Sequence, residues 1–177
     1  MTETQSAAPY RPQSVPVYRE PTLRSHALHH ILVTQTATAA ALGRLIQSFE
    51  QPGLPTPRVL CAAVNDFERQ LKALLDAAAV GTQLYVLGDE AFLWRIHGMA
   101  RTAGMHNEEI DLIESGPVLR RVFCVHCGCV QDSGPQAVVF CGNCQVHLSV
   151  REHFSQRLGA YLGVCENPDQ PYAQAQS

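Results

Sequence analysis

Two C-x2-C knuckles, Cys124-Val-His-Cys127 and Cys141-Gly-Asn-Cys144, stand a hairpin's length apart towards the end of this chain. A C-x2-C turn brings two thiolates onto one side of a metal ion, and a second knuckle supplies the other two corners of a tetrahedron. Asp132-Ser-Gly-Pro135 between them reads as a turn, so the stretch is expected to fold as two β-hairpin knuckles, a zinc ribbon. Gly128 and Gly142 suit the positive φ that such knuckles require. Cys124, Cys127, Cys141 and Cys144 are the expected metal ligands. Zinc is the preferred ion, because closed four-thiolate sites are its usual home, and a filled shell points to a structural rather than a hydrolytic role. Iron is the alternative, as a rubredoxin-type site or an iron–sulfur cluster.

Other residues invite a ligand reading and are given a plainer one. Cys129 is expected to be a small packed side chain, His126 to point outward between two ligands, and His147, three residues after Cys144, to stay outside the shell. His26, His29 and His30 lack carboxylate partners and read as residues leading into a strand. Cys61, Cys129 and Cys165 are scattered rather than framed. With no charged start leading into an apolar stretch at the N-terminus, a reducing cytoplasm is expected rather than a disulfide-forming compartment.

Ahead of the cysteines the pattern alternates. His30–Thr34 reads as a buried strand, and 38–50 as a helix with apolar Ala41, Leu42, Leu45, Ile46 and Phe49. Gln51-Pro-Gly-Leu-Pro-Thr-Pro breaks the chain. A second strand is expected over 58–64. The next helix should be capped by Asn65 with Glu68 in a capping box, should carry Phe67, Leu71, Leu74, Leu75 and Ala78 inward, and should end by Gly81. A third strand over 83–87 turns at Gly88-Asp89 into a helix whose inner face is Leu93, Ile96, Met99, Ala100 and Ala103, ending at Gly104. A fourth, edge-like strand covers 109–114. The expected fold class is α/β: a small parallel sheet with helices on both faces, followed by the β ribbon. Four segments are expected: a flexible N-terminal arm over 1–25, the α/β domain over 26–115, the four-cysteine domain over 117–165 and a disordered tail over 166–177.

The α/β region resembles the nicotinamide-binding domain of ferredoxin reductases, chiefly at Gln83-Leu-Tyr-Val-Leu-Gly-Asp-Glu-Ala-Phe, at Ala103-Gly104-Met105 and at Glu108-Glu-Ile-Asp-Leu-Ile-Glu-Ser. That family carries a glycine-rich loop after the first strand so that backbone N–H groups can approach a pyrophosphate. Here the loop is Thr34-Gln-Thr-Ala-Thr-Ala39, without glycine, and Asp89 stands where a phosphate would be repelled. A degenerate domain kept as a scaffold is expected.

Composition narrows the options. With 177 residues, 46% hydrophobic, the chain can bury one good core, or a core plus a small appended module. A net charge of −3 argues against a dominant nucleic-acid-binding role. No apolar run is long enough to cross a membrane. Lys72 is the one lysine, on the outer side of a predicted helix, and is not expected to be catalytic. No P-loop, nucleophile-elbow or His-Glu-x-x-His pattern is present, so no catalytic residue is assigned.

Beyond the ribbon runs His153-Phe154-Ser155-x-Arg157-Leu158-Gly159-Ala160-Tyr161-x-Gly163-Val164. Joined to the two knuckles, this string resembles the C-terminal domain of the DmmA-like family, a small subunit of bacterial dimethylamine monooxygenase. With the α/β region the resemblance spans about residues 25 to 165. It implies membership of a multisubunit, NADPH-dependent oxidoreductase complex that demethylates dimethylamine to methylamine and formaldehyde. It also implies partner subunits carrying flavin, a [2Fe–2S] cluster and haem or non-haem iron. A structural or assembly role follows, with the oxygenase and reductase chemistry in other chains. Phe154, Arg157 and Tyr161 form a candidate partner interface, since arginine and aromatic residues dominate such contacts. Two further readings remain open: a stand-alone electron-transfer or reductase protein with iron in the four-cysteine site, and a zinc-ribbon adaptor for nucleic acid.

Overall fold

The computed structural model describes residues 14–18, 20, 22–37, 40–50 and 53–171. Most of the expected arm, over 1–13, and the end of the expected tail, over 172–177, lie outside the described residues. The first unit is a parallel sheet of β1 (His29–Thr34), β2 (Arg58–Cys61), β3 (Thr82–Gly88) and β4 (Ile110–Glu114) in the order β2-β1-β3-β4. Helices α1 (Ala40–Ser48), α2 (Phe67–Asp76) and α3 (Glu90–Thr102) alternate with the strands. Every residue of β3 is buried, which is why strands this apolar need cover on both faces. Ile31, Val33, Leu84 and Val86 point to the side covered by α2 and α3. Leu32, Tyr85 and Leu87 point to the side covered by α1 through Leu42, Leu45 and Phe49. The period of two along each strand thus becomes two separate cores.

Several local expectations are corrected. β2 ends at Cys61, not residue 64. Ala62 N–H makes a last bond to Thr34 O at 2.8 Å, and the chain then turns, with Val64 N–H on Cys61 O. The capping box is absent. Asp66, left-handed at φ 57°, takes the N-cap position of α2 without a side-chain cap, because its carboxylate is engaged by Arg69 at 2.6 Å. Ala103 is exposed rather than inward. Gly104, at φ 98°, reverses the chain, with Met105 N–H on Ala100 O and Gly104 N–H on Arg101 O. This pair of bonds is the Schellman ending, and it returns Met105 to the core in place of Ala103. Ile46 is exposed on α1.

The second unit is a five-stranded sheet of β5 (Arg120–Cys124), β6 (Val130–Ser133), β7 (Val138–Phe140), β8 (His147–Ser155) and β9 (Ala160–Cys165), ordered β6-β5-β9-β8-β7. The string 153–164 is therefore the β8–β9 hairpin at the middle of this sheet, with β9 parallel to β5. Gly163 is required there: a Cβ would lie 2.8 Å from Val122 Cγ1. Gly128 has φ 76°, as expected, but Gly142 is not a positive-φ residue; Gln145, at φ 61°, is. In both knuckles the left-handed residue is the one that follows the second cysteine.

Helix α3 joins the two sheets. Ala91 N–H bonds Leu119 O at 2.9 Å, and the Trp94 ring lies 4.6 Å from Phe154, which lies 5.0 Å from Tyr161. At Gly159, φ 59°, a Cβ would stand 3.2 Å from Trp94 Cβ. Tyr18, from the stretch expected to be a flexible arm, crosses this seam. Its hydroxyl donates to Glu90 Oε2 at 2.7 Å and accepts from Trp94 Nε1 at 2.9 Å. The Tyr161 hydroxyl donates to the same carboxylate at 3.4 Å. The candidate partner interface is corrected on this point. Phe154 and Tyr161 are 2% and 9% exposed because they fill this internal seam; of the three residues only Arg157 is exposed.

Two expected outcomes follow from these local features. Gly128→Ala forces a side chain into the left-handed region and should cost about 1–2 kcal/mol. Gly142→Ala meets nothing nearer than Gln131 Oε1 at 3.9 Å and should be close to neutral; thermal melts of the metal-loaded variants compare them. Burial holds the Glu90 carboxyl above its ordinary 4.5 despite the hydrogen bond from Tyr18. A raised carboxyl pKa contributes stability that is complete below the unfolded value and lost as pH rises through the folded one. Glu90→Gln should therefore melt higher than the parent at neutral pH, with the gap closing as pH falls through the raised folded value to 4.5. A gap that stays constant with pH would contradict this.

Candidate metal centre

The end of β5 and the end of β7 deliver the first cysteine of each knuckle, and both are fully buried. In the first knuckle Gly128 N–H bonds Cys124 O at 2.8 Å and Cys124 N–H bonds Cys129 O at 2.8 Å. In the second, Gln145 N–H bonds Cys141 O and Cys141 N–H bonds Val146 O, both at 2.9 Å. Gln131 of β6 ties the second knuckle down, donating to Phe140 O at 2.7 Å and accepting from Gly142 N–H at 2.9 Å.

These turns bring four sulfur atoms together. Cys124 Sγ is 3.7 Å from Cys144 Sγ, and Cys127 Sγ is 3.7 Å from Cys141 Sγ. All four lie within 4.8 Å of one another. A metal bound to four thiolates at about 2.3 Å has sulfur–sulfur edges of about 3.8 Å, so the cluster has the size of one mononuclear site. Among the described residues it is the one group of three or more His, Cys, Asp or Glu side chains placed to hold a metal.

The electrostatics divide the thiols. Burial pushes Cys124 up to about 12, against the pull of backbone N–H groups of Cys127 and His126. Burial also raises Cys144. The Asn143 side chain, with the backbone N–H of Cys129, brings Cys127 down to about 6. Backbone amides directed at sulfur stabilise thiolate, and a bound cation would add the larger part, because a metal binds thiolate and releases the proton.

The other candidates fall outside the cluster. Cys129 Sγ donates to Val130 O at 3.6 Å. His147 sets its ring edge-on to Phe140 at 5.5 Å. His30 is buried against Phe49 and Tyr85, while His26 and His29 are exposed. Lys72 is exposed and paired with Asp76 at 2.5 Å. Cys165, which spacing alone did not single out, packs against the same apolar cluster as the knuckles.

The crevice at the carboxyl ends of β1 and β3, where a sheet of this order would hold a dinucleotide, is closed by side chains. Gln35 Nε2 donates to Asp89 Oδ2 at 2.7 Å, and Gln35 Oε1 accepts from Asp89 N–H at 2.8 Å. Asp89 also caps α3 through Phe92 N–H at 2.8 Å. The helix end that would face a phosphate already holds a carboxylate. Gly88 is needed for this closure: a Cβ would lie 2.6 Å from Phe92 Cδ1 and 2.8 Å from Gln35 Oε1.

Known proteins match both units. Residues 51–110 match the N-terminal domain, and 121–164 the C-terminal domain, of the family described as dimethylamine monooxygenase subunit DmmA-like. The chain is 43% identical over 175 residues to the heme-dependent oxidative N-demethylase delta subunit of Ectopseudomonas mendocina (strain ymp), covering 94% of this chain and 96% of that one. No solved structure matches. With a family model on each folded unit and a relative that aligns from end to end, this chain belongs to the DmmA-like family.

Proposed function

We propose that this chain is a non-catalytic assembly subunit of a multisubunit oxidative N-demethylase acting on a small N-methylated amine such as dimethylamine. The observation that carries the reading is its end-to-end likeness to a delta subunit of such an enzyme. The substrate follows the family's description. In this reading NADPH, flavin, a [2Fe–2S] cluster and haem or non-haem iron belong to partner subunits, and the complex works in the cytoplasm.

Cys124, Cys127, Cys141 and Cys144 hold one zinc ion in this proposal, and the ion cross-links β5 to the β7–β8 turn. With four thiolates the coordination shell is closed, so the ion stabilises structure rather than activating water. Apparent binding energies of structural zinc, about 10–16 kcal/mol, rival the whole stability of a small domain. The C-terminal sheet is therefore expected to fold with its metal. The Gln35–Asp89 closure supports the same division of labour, since it occupies the crevice a nicotinamide cofactor would use in this fold.

The test is purification of the native complex, with metal and cofactor analysis of each chain and demethylation assayed with and without this one. Zinc in near-equal amount to this chain is expected. Cys141→Ser should lose that zinc, lower the melting temperature and release the chain from its partners. Partners that assemble and demethylate fully without this chain would overturn the assembly role. Iron with visible absorption in the isolated chain would overturn zinc and favour electron transfer.

A further inference from the structure

A concavity runs along α3, between α2 and the β8–β9 turn. Two adjoining hollows, of ≈ 500 and ≈ 510 Å³, share Gly98, Thr102, Arg121 and Arg157 as walls. Each is within the usual range of small-molecule sites, about 300–1,000 Å³. Their charge is one-sided. Arg95, Arg101, Arg121 and Arg157 line them, with His97 and Lys72 at the margins. Asp76 is the one carboxylate among the lining residues, and Asp132 neighbours Arg121. Asp76 is engaged by Lys72 at 2.5 Å, and Asp132, opposite Arg121 across β5 and β6, acts on it only through the field.

None of these four guanidinium groups is paired with a carboxylate, and Arg101 donates instead to Met105 O. The ion pairs among the described residues are Arg24–Asp111, Arg44–Glu20, Arg69–Asp66 and Lys72–Asp76, so Arg95, Arg121 and Arg157 have none. Arg95 lies over the Phe92 ring, 5.6 Å from its centroid. Arg121 is half-buried; burial lowers its pKa, the Asp132 carboxylate opposes this, and the charge of Arg95 lowers it further. A partly desolvated cation beside a like charge is unfavourable unless an anion joins it. Arginine's fixed fork of donors fits the oxygens of a phosphate in pairs. Gly98 and Gly159 keep the walls free of side chains where α3 meets the turn.

We propose that this cleft binds a phosphate-bearing small molecule of about nucleotide size, with Arg95, Arg121 and Arg157 on its phosphates. The site is separate from the closed crevice above β1 and β3, because α2, α3, β5 and the β8–β9 turn build it. Its concavity favours a compact ligand over an extended strand or peptide, and it goes beyond the assembly role without depending on it.

Trp94, the single tryptophan of the chain, lines the cleft and reports on it directly. The experiment titrates the full metal-loaded chain with pyrophosphate and with ATP, following tryptophan fluorescence and calorimetry. Sodium sulfate at matched ionic strength is the control. Saturable binding tighter than about millimolar is expected, weakening as salt rises. Tighter binding of ATP than of pyrophosphate would place the base in the second hollow; equal binding would confine the site to the phosphates, and either supports the proposal. Arg157→Gln, on an exposed side chain, should weaken binding about tenfold or more with an unchanged melting temperature. Arg95→Gln provides a second variant outside the C-terminal sheet. No saturation by either probe, equal affinity for sulfate, or unchanged binding in both variants overturns the proposal. So does binding of an oligonucleotide or a polyglutamate peptide without binding of the small phosphates.

Discussion

Burial of helix α3 on two sides is the constraint on which the rest of the molecule depends. Leu93, Ile96 and Ala100 face the parallel sheet, and Trp94 faces the β8–β9 hairpin with Phe154 and Tyr161. A helix that is apolar on both flanks is stable only between two layers. The second sheet is therefore built against the first. The Glu90 carboxylate, Tyr18 and Tyr161 complete the junction with hydrogen bonds in a place water reaches poorly. Their satisfaction matters because an unpaired polar group there would cost far more than a paired one contributes.

The same junction explains the two sites. The β8–β9 hairpin that packs on Trp94 pairs with β5 and β7, the strands that lead into the knuckles, so the four-sulfur cluster and the seam lie in one sheet. Where α3 passes beyond the hairpin turn, its polar flank and Arg121 are left facing each other across a gap. Asp89 and Gln35, at the other end of α3, do the opposite and seal the crevice above β1 and β3.

Much of this was legible in the chain. The alternation of short apolar runs with helical spacing placed three helices and four parallel strands, because a fully covered sheet imposes its period on every residue. C-x2-C spacing found all four sulfur atoms, since a knuckle is a local structure whose geometry is set by four residues. Gly104 ended its helix as read. What failed was also local. Asp66 rather than Asn65 takes the cap position, left-handed and with its carboxylate on Arg69, a pairing that a capping pattern does not weigh. Gly142 does not take the expected positive φ, and Gln145 does, because glycine tolerates that conformation without demanding it.

The sequence by itself determined the four-cysteine frame and the parallel sheet, both of which rest on short-range spacing and periodicity. Only the tertiary structure decided that Phe154 and Tyr161 face inward, that Tyr18 straps the seam and that Arg95, Arg121 and Arg157 share one cleft. Those facts depend on contacts between residues far apart in the chain, and no pattern of neighbours records which buried face meets which.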